Sequence, residues 1–350
     1  GTHGKTKTTS LNAWIIEYCG KKHGYLIGGR ANNFELSASL GDSDIFVIEA
    51  DEYDTAFFDK RSKFLHYSPH IFLLNNLEFD HADIFGDVSD IRRQFHHAVR
   101  TVPSNGLIIA NGDSEHIAET LAMGCWTPTV NFGLEDNSDW QLRDTSADAT
   151  KGIQPSYEML SSQGEAHQFQ PPITGQHNAL NTLAAVLAVK EFGITADDAF
   201  RALQAFKGVK RRLDNYATIG GVFLYDDFAH HPTAIAATLE AVNKLKLEGN
   251  VLCVLEPRSN TMQNGTHEKA LEQAFKDADS VFLYKPSTVQ FNLDVLALAI
   301  GPQCYVFDDT QALITRIVEE ALPGDHVVIM SNGSFDGIHA KLQQALSAAV

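Results

Sequence analysis

Gly1-Thr2-His3-Gly4-Lys5-Thr6 opens the chain, and its residue types describe a phosphate-binding loop. Glycines let the backbone approach an anion, successive N–H groups point inward, and the lysine reaches the β/γ oxygens. The threonine hydroxyl is a ligand for Mg²⁺. Two residues separate these glycines, where the usual loop has four, so an ordinary Gly/Thr turn stays open on this motif alone. A helix from Thr8 to Cys19 is expected next, with its N-terminus facing the anion. A loop of this kind follows a buried strand, so residues upstream of Gly1 are expected. Lys7 stands where a small hydroxyl residue is usual; it is expected to be solvated on the first helical turn and receives no role.

Outward from the loop, short apolar runs alternate with helical patterns. Asp44–Ala50 (DIFVIEA), His70–Asn75 (HIFLLN) and Gly106–Ala110 (GLIIA) read as buried strands of one parallel sheet. Helices are expected near 88–101 and 114–123. Residues 129–172 turn polar and alternating, with the Pro171-Pro172 pair, and read as an antiparallel edge or flap. Two further helices are expected, Asn178 to about Phe192 and Ala196 to Phe206. The basic run Lys207 to Arg212 marks a domain junction, giving domains of 1–210 and 211–350. Beyond it, strands are expected at Val222–Asp226, Val251–Glu256, Val281–Tyr284, Tyr305–Phe307 and His326–Ser331. Helices fill the gaps near 232–245, 266–278, 310–322 and 336–348. The fold class is therefore α/β: a P-loop central domain with a mostly parallel sheet, plus a Rossmann-like doubly wound C-terminal domain.

With 350 residues and 44% hydrophobic content, the chain is long enough to bury both cores. A net charge of −17 argues against a nucleic-acid partner, whose phosphates it would repel. The four cysteines are scattered without a CxxC pair. Cys253 and Cys304 lie in apolar strand-like runs and read as buried thiols, which suits a reducing cytoplasm. No apolar run is long enough for a membrane span.

Polar residues gather after the apolar runs. Glu49-Ala50-Asp51-Glu52-Tyr53-Asp54 follows directly on the first strand. There α/β folds place ligands, and hard oxygens suit Mg²⁺; a solvated acidic loop is the alternative. Asn75-Asn76-Leu77-Glu78-Phe79-Asp80-His81 repeats the arrangement, and His81 either completes a metal site or caps a helix. In Gly175-Gln176-His177-Asn178-Ala179-Leu180-Asn181 the two asparagines share a helix face; on spacing alone, helix capping is favoured over an adenine contact. Arg211 and Arg212 read as a γ-phosphate clamp or a solvated basic linker. Asp226-Asp227-Phe228-Ala229-His230-His231-Pro232 places two carboxylates and two imidazoles at a strand end.

These segments together are similar to the Mur ligases, the ATP-dependent amide-forming enzymes of peptidoglycan synthesis. The phosphate loop, EADEYD, NNLEFDH, GQHNALN, KRR and DDFAHHP match in order across residues 1 to 232. Glu256-Pro257-Arg258-Ser259-Asn260-Thr261-Met262 and Met330 to His339 resemble the branch that joins UDP-N-acetylmuramate to the tripeptide L-alanyl-γ-D-glutamyl-meso-diaminopimelate. Ser334 and Asp336 depart from that branch, which has glycine there. Some relatives carry a carbamylated lysine after the D-H motif. Residues 92–98 contain no lysine, so that feature is not carried over. Nothing here matches the family's UDP-binding N-terminal domain.

The resemblance implies ATP and Mg²⁺ as cofactors and an acyl phosphate as intermediate. It implies that Gly1, Thr2, Gly4, Lys5 and Thr6 cradle the phosphates, and that Thr6, Glu49 and His81 serve as metal ligands. Asn178 and Asn181 would contact adenine, and Arg212 and Asp227 would contact the nucleotide from the second domain. Lys5, His81, Arg212 and His230 are the implied catalytic residues. His230 and Arg258 are implied substrate contacts, Arg258 pairing with a peptide carboxylate. L-alanine addition to UDP-N-acetylmuramate is the nearest alternative. A P-loop module that binds nucleotide without forming a bond is a distant one.

Overall fold

The computed structural model describes residues 1–146 and 154–349, so 147–153 of the expected 129–172 edge lie outside the described residues. Contacts among the described residues divide the chain into two compact units, with the break between Val209 and Lys210.

The first unit runs α1 (Lys5–Tyr18), β1 (Gly24–Leu26), β2 (Ala38–Ser39), β3 (Phe46–Ile48), β4 (Asp54–Ala56), β5 (Asp59–Ser62), β6 (Ile71–Leu74), α2 (Val88–Val99), β7 (Leu107–Asn111) and α3 (Glu115–Ala122). It continues through β8 (Thr129–Gly133), β9 (Trp140–Asp144), β10 (Tyr157–Ser161), β11 (Ala166–Phe169), α4 (Gln176–Lys190) and α5 (Ala196–Gln204). Its main sheet has the order β11-β10-β9-β8-β7-β6. Strands β6 to β9 are parallel, and β10 and β11 add the antiparallel edge. Alternation along β7 explains the layering. Ile108 and Ala110 face the core built with Ile91, Phe95 and Val99 of α2. Ile109 points the other way, into the core shared with α1 and α4. Helix α4 is apolar almost all round because it is buried almost all round.

The run Asp44–Ala50 does not join β6 in a single sheet. Strand β3 pairs in parallel with β1, whose other edge takes β2, in a separate three-stranded sheet. Strands β3 and β6 instead line a common cavity of about 640 Å³, with Phe46, Val47, Ile48, Ile71, Phe72 and Leu73 in its walls. Lys7 also differs from the expectation: it is buried on α1 rather than solvated.

The second unit contains β12 (Arg212–Ile219), β13 (Val222–Asp227), α6 (Pro232–Leu245), β14 (Val251–Leu255), α7 (Asn260–Gln263), α8 (Glu268–Ala274) and β15 (Ser280–Tyr284). It ends with α9 (Leu293–Ile300), β16 (Cys304–Phe307), α10 (Thr310–Glu320), β17 (His326–Met330) and α11 (Ile338–Ala349). The sheet order is β12-β13-β17-β14-β15-β16, parallel except for the edge strand β12. Both faces are covered. Val251, Cys253 and Leu255 face α6, α8 and α9, while Leu252 and Val254 face α10 and α11. This is the doubly wound arrangement the apolar runs implied. Cys253 is buried as expected, and Cys304 is only partly buried.

Candidate active site

The phosphate loop and the start of α1 form the floor of the site. Gly4 takes φ 81° and is the N-cap of α1, so the helix begins at Lys5, inside the motif and earlier than expected. The loop is tied to the segment after β6. His3 N–H donates to Asn76 Oδ1 at 2.9 Å, and Asn76 Nδ2 donates to the His3 carbonyl at 2.9 Å. Thr2 Oγ1 accepts from Glu78 N–H at 2.8 Å. The NNLEFDH segment therefore shapes the loop through Asn76 and Glu78, a task its residue types did not reveal.

Two acidic groups lie along α1. Thr6 Oγ1 donates to Glu49 Oε1 at 2.9 Å, and Glu49 Oε2 accepts from Gly28 N–H at 2.7 Å. Lys5 Nζ lies in the fork of the Glu52 carboxylate, 2.8 and 2.7 Å from its two oxygens, with Asp51 at 3.6 Å. His81 Nε2 is 3.0 Å from Glu52 Oε1. Burial alone would raise the Glu52 pKa, yet the Lys5 ammonium and the His81 hydrogen bond hold it far below the usual carboxylate range. Burial alone would lower the His81 pKa, and the bond to Glu52 with the Asp80 charge raises it instead. The Tyr53 ring packs 4.2 Å from the His81 ring, and burial with the Asp51 charge pushes its phenol up to about 12. His81 itself holds φ 56°, a left-handed conformation uncommon for a side chain of its size.

The ligand atoms of Asp51, Glu52 and His81 lie within 4.8 Å of one another. The two carboxylates already hold a cation, the Lys5 ammonium, and carboxylate oxygens are the hard ligands Mg²⁺ takes. The structure brings Thr6 to Glu49 and gathers His81 with Asp51 and Glu52. The sequence pairs His81 with the acidic loop but singles out Glu49 there, not Asp51 or Glu52. The signal was present in EADEYD, where four acidic residues follow one short strand.

A polar cavity of about 270 Å³ adjoins the loop, lined by His3, Asn75, Asn111, Asp113, His177 and Asn181 among others. Asn181 Oδ1 accepts from Asn75 Nδ2 at 2.5 Å. Asn178 does not line this cavity. It is buried, and its Nδ2 donates back to the Thr174 carbonyl at 2.6 Å, at the start of α4. Of the two expected adenine contacts, the structure thus turns Asn178 away and leaves Asn181 facing the cavity. Asn111 and Asp113 were missed, although they follow the apolar run of β7 as ligands in α/β folds do.

In the second unit, Asp227 is buried and its carboxylate accepts from the N–H groups of Leu213 at 2.6 Å and Ala229 at 2.8 Å. These two bonds fix the turn that carries His230. The Arg212 guanidinium lies 4.5 Å from the Phe228 ring centroid. Arg211 donates through one nitrogen to the Ser331 and Gly333 carbonyls at 2.6 and 2.7 Å, which clamps the turn after β17. His230 Nδ1 is 2.9 Å from the Phe228 carbonyl. Arg258 is half exposed, just beyond β14. Asp336, in a position expected to prefer glycine, takes φ 48°, whereas Ser334 keeps a right-handed conformation.

A phosphate loop at a helix N-terminus, cation-binding carboxylates and an adjoining polar cavity define a nucleotide-using P-loop α/β protein. Comparison with known proteins makes this specific. The Mur ligase middle domain matches residues 1–189, and the Mur ligase glutamate ligase domain matches residues 211–333. The UDP-N-acetylmuramate–L-alanyl-γ-D-glutamyl-meso-2,6-diaminoheptandioate ligase of Escherichia coli K12 is 45% identical over 99% of this chain and 75% of its own length. The UDP-N-acetylmuramate–L-alanine ligase of Salinispora arenicola is 30% identical over 99% of this chain and 68% of its own. The crystal structure of a murein peptide ligase from Psychrobacter arcticus superposes with a TM-score of 0.73 at 38% identity, covering 100% of this chain and 77% of that one. The chain belongs to the Mur ligase family.

Proposed function

We propose that this enzyme joins UDP-N-acetylmuramate to L-alanyl-γ-D-glutamyl-meso-diaminopimelate, converting ATP to ADP and phosphate, in the recycling of peptidoglycan. The observation that carries this reading is the 45% identity, over 99% of the chain, to the E. coli enzyme of that name. The L-alanine-adding relative is more distant, at 30%. Family membership and four free cysteines support action in the cytoplasm.

A carboxylate and a protonated amine do not condense in water, so the muramoyl carboxylate needs a leaving group. Its oxygen attacks the γ-phosphorus of ATP and ADP departs. The peptide's neutral amine then attacks the acyl carbon and expels phosphate. Catalysis rests on positioning anionic groups and neutralising their charge. Backbone N–H groups of Gly1 to Thr6 and the Lys5 ammonium take the β/γ oxygens, Lys5 exchanging Glu52 for phosphate. Asn181 and Asn111 present amides to the adenine edge in the polar cavity. Thr6 with Glu49, and His81 with Asp51 and Glu52, would hold magnesium, which when bound neutralises phosphate charge. Arg212 serves the transferring phosphoryl group, His230 orients the muramoyl end, and Arg258 pairs with a carboxylate of the tripeptide.

The test compares acceptors. With UDP-N-acetylmuramate, ATP and magnesium, ADP release should be fast with the tripeptide and near background with free L-alanine. Preference for L-alanine would replace this reading with its nearest alternative.

A further inference from the structure

The Arg258 side chain does not hold its direction alone. Glu256 lies at the end of β14, where its N–H donates to the Met330 carbonyl at 3.0 Å and prolongs the strand ladder. Its carboxylate is almost fully buried and has two fixed neighbours. Oε2 accepts from Ser331 Oγ at 2.5 Å, and Oε1 lies 3.5 Å from Arg258 Nη1. Ser331 Oγ in turn accepts from Gly333 N–H at 2.9 Å. The Arg211 clamp on the Ser331 and Gly333 carbonyls fixes the same turn from its other side. A Cβ on Gly333 would come within 2.2 Å of Arg258 Cδ and 2.3 Å of its Nε. The arginine therefore lies flat on bare backbone. A guanidinium has five N–H donors, and with one carboxylate oxygen at 3.5 Å and half of the side chain exposed, donors remain for a further carboxylate.

We propose that Glu256 and Gly333 are positioning residues that aim the Arg258 guanidinium at a carboxylate of the acceptor peptide. Glu256 holds it electrostatically from below, and Gly333 supplies the flat surface on which it rests. The inference rests on the reading of Arg258 as an acceptor contact. It goes further in assigning the specificity for an acidic acceptor to a buried acid and a missing side chain.

The experiment measures KM for tripeptide and for ATP, and kcat, in full-length enzyme carrying Glu256→Gln, Gly333→Ala, Arg258→Ala and the two pairs with Arg258→Ala. Glu256→Gln and Gly333→Ala are each expected to raise tripeptide KM about tenfold, with kcat and the KM for ATP within about twofold. Neither should add to Arg258→Ala, because residues acting through one group are not additive. A tripeptide KM unchanged in both variants, while Arg258→Ala raises it, would overturn the inference and leave the reading of Arg258 standing. Equal effects with and without Arg258 would also overturn it, by making both residues merely structural. An Arg258→Ala enzyme with unaltered tripeptide KM would remove the reading itself. Should Glu256→Gln fail to fold, Gly333→Ala decides, since the nearest atoms its methyl meets belong to the Arg258 side chain.

Discussion

Replacing Lys5 with methionine keeps most of the side-chain volume and removes the ammonium that both Glu52 oxygens hold at 2.8 and 2.7 Å. The Lys5 and Glu52 side chains are only 17% and 4% exposed, so solvent screening is weak. Breaking a buried pair by deleting one partner costs about 3–5 kcal/mol, because the other charge is left without compensation. His81 remains 3.0 Å from Glu52, which places the loss near the lower figure, about 3 kcal/mol at pH 7. For a unit of this size that is a fall in Tm of roughly 6–12 °C. Glu52 is held below its ordinary pKa of 4.5. The stability it contributes is therefore present above pH 4.5 and is lost as pH falls through the depressed value. The Lys5→Met deficit should shrink in acid for the same reason. Adding Glu52→Gln removes the orphaned charge and should restore at least half of the lost Tm. Thermal melts followed by circular dichroism, at pH 7 and in steps of falling pH towards the depressed Glu52 value, check each point. A single variant melting within 2 °C of wild type, or a double variant no better than the single, would refute the reasoning. In the ligation assay Lys5→Met should lose more than about tenfold in rate, the equivalent of about 1.4 kcal/mol.

Further outcomes follow from the same geometry. The His81 pKa is raised in the folded protein. Its bond to Glu52 thus contributes stability fully present below the ordinary value of 6.5 and lost as pH rises through the raised one. Unfolding of His81→Gln should accordingly show a deficit against wild type that is largest near pH 6 and narrows in alkali; a deficit that widens would contradict the pairing. Asn181→Ala should raise the KM for ATP several-fold and also lower Tm, since its buried side chain accepts from Asn75, whereas Asn178→Ala should lower Tm and leave the KM for ATP near wild type. Asp227→Ala, which strips acceptors from the part-buried Leu213 and buried Ala229 N–H groups, should destabilise by about 2 kcal/mol or more in denaturant titrations.

Much of this architecture was legible from residue order. The alternation of VLCVL with an amphipathic helix announces a buried parallel strand, and β14 is one. The phosphate loop was legible because glycine, lysine and threonine have chemistry that needs no tertiary context. What escaped depended on distant partners. Asn178 and Asn181 have the same side chain on the same helix face, and only the packing of α4 turns one to the Thr174 carbonyl and the other to the cavity. Residue type alone does not separate Glu49, Asp51 and Glu52; the resemblance picked Glu49, and Lys5 and Thr6 on the neighbouring helix sort them in the structure. Asp227 looked like a ligand because an acid at a strand end often is one. The two backbone N–H groups that converge on it, from Leu213 and Ala229, were not legible in the sequence. The short helix Leu293–Ile300 was missed because LDVLALAI has no clear polar face, although the Asn292 cap that accepts from Asp294 N–H was a local signal.

The account stands on activation of the muramoyl carboxylate by phosphoryl transfer. Labelling both oxygens of that carboxylate with ¹⁸O and analysing the products by mass spectrometry tests it most directly. One labelled oxygen should appear in the released phosphate and the other should remain in the new amide. Released phosphate without label, from enzyme that still forms the amide, would contradict the account.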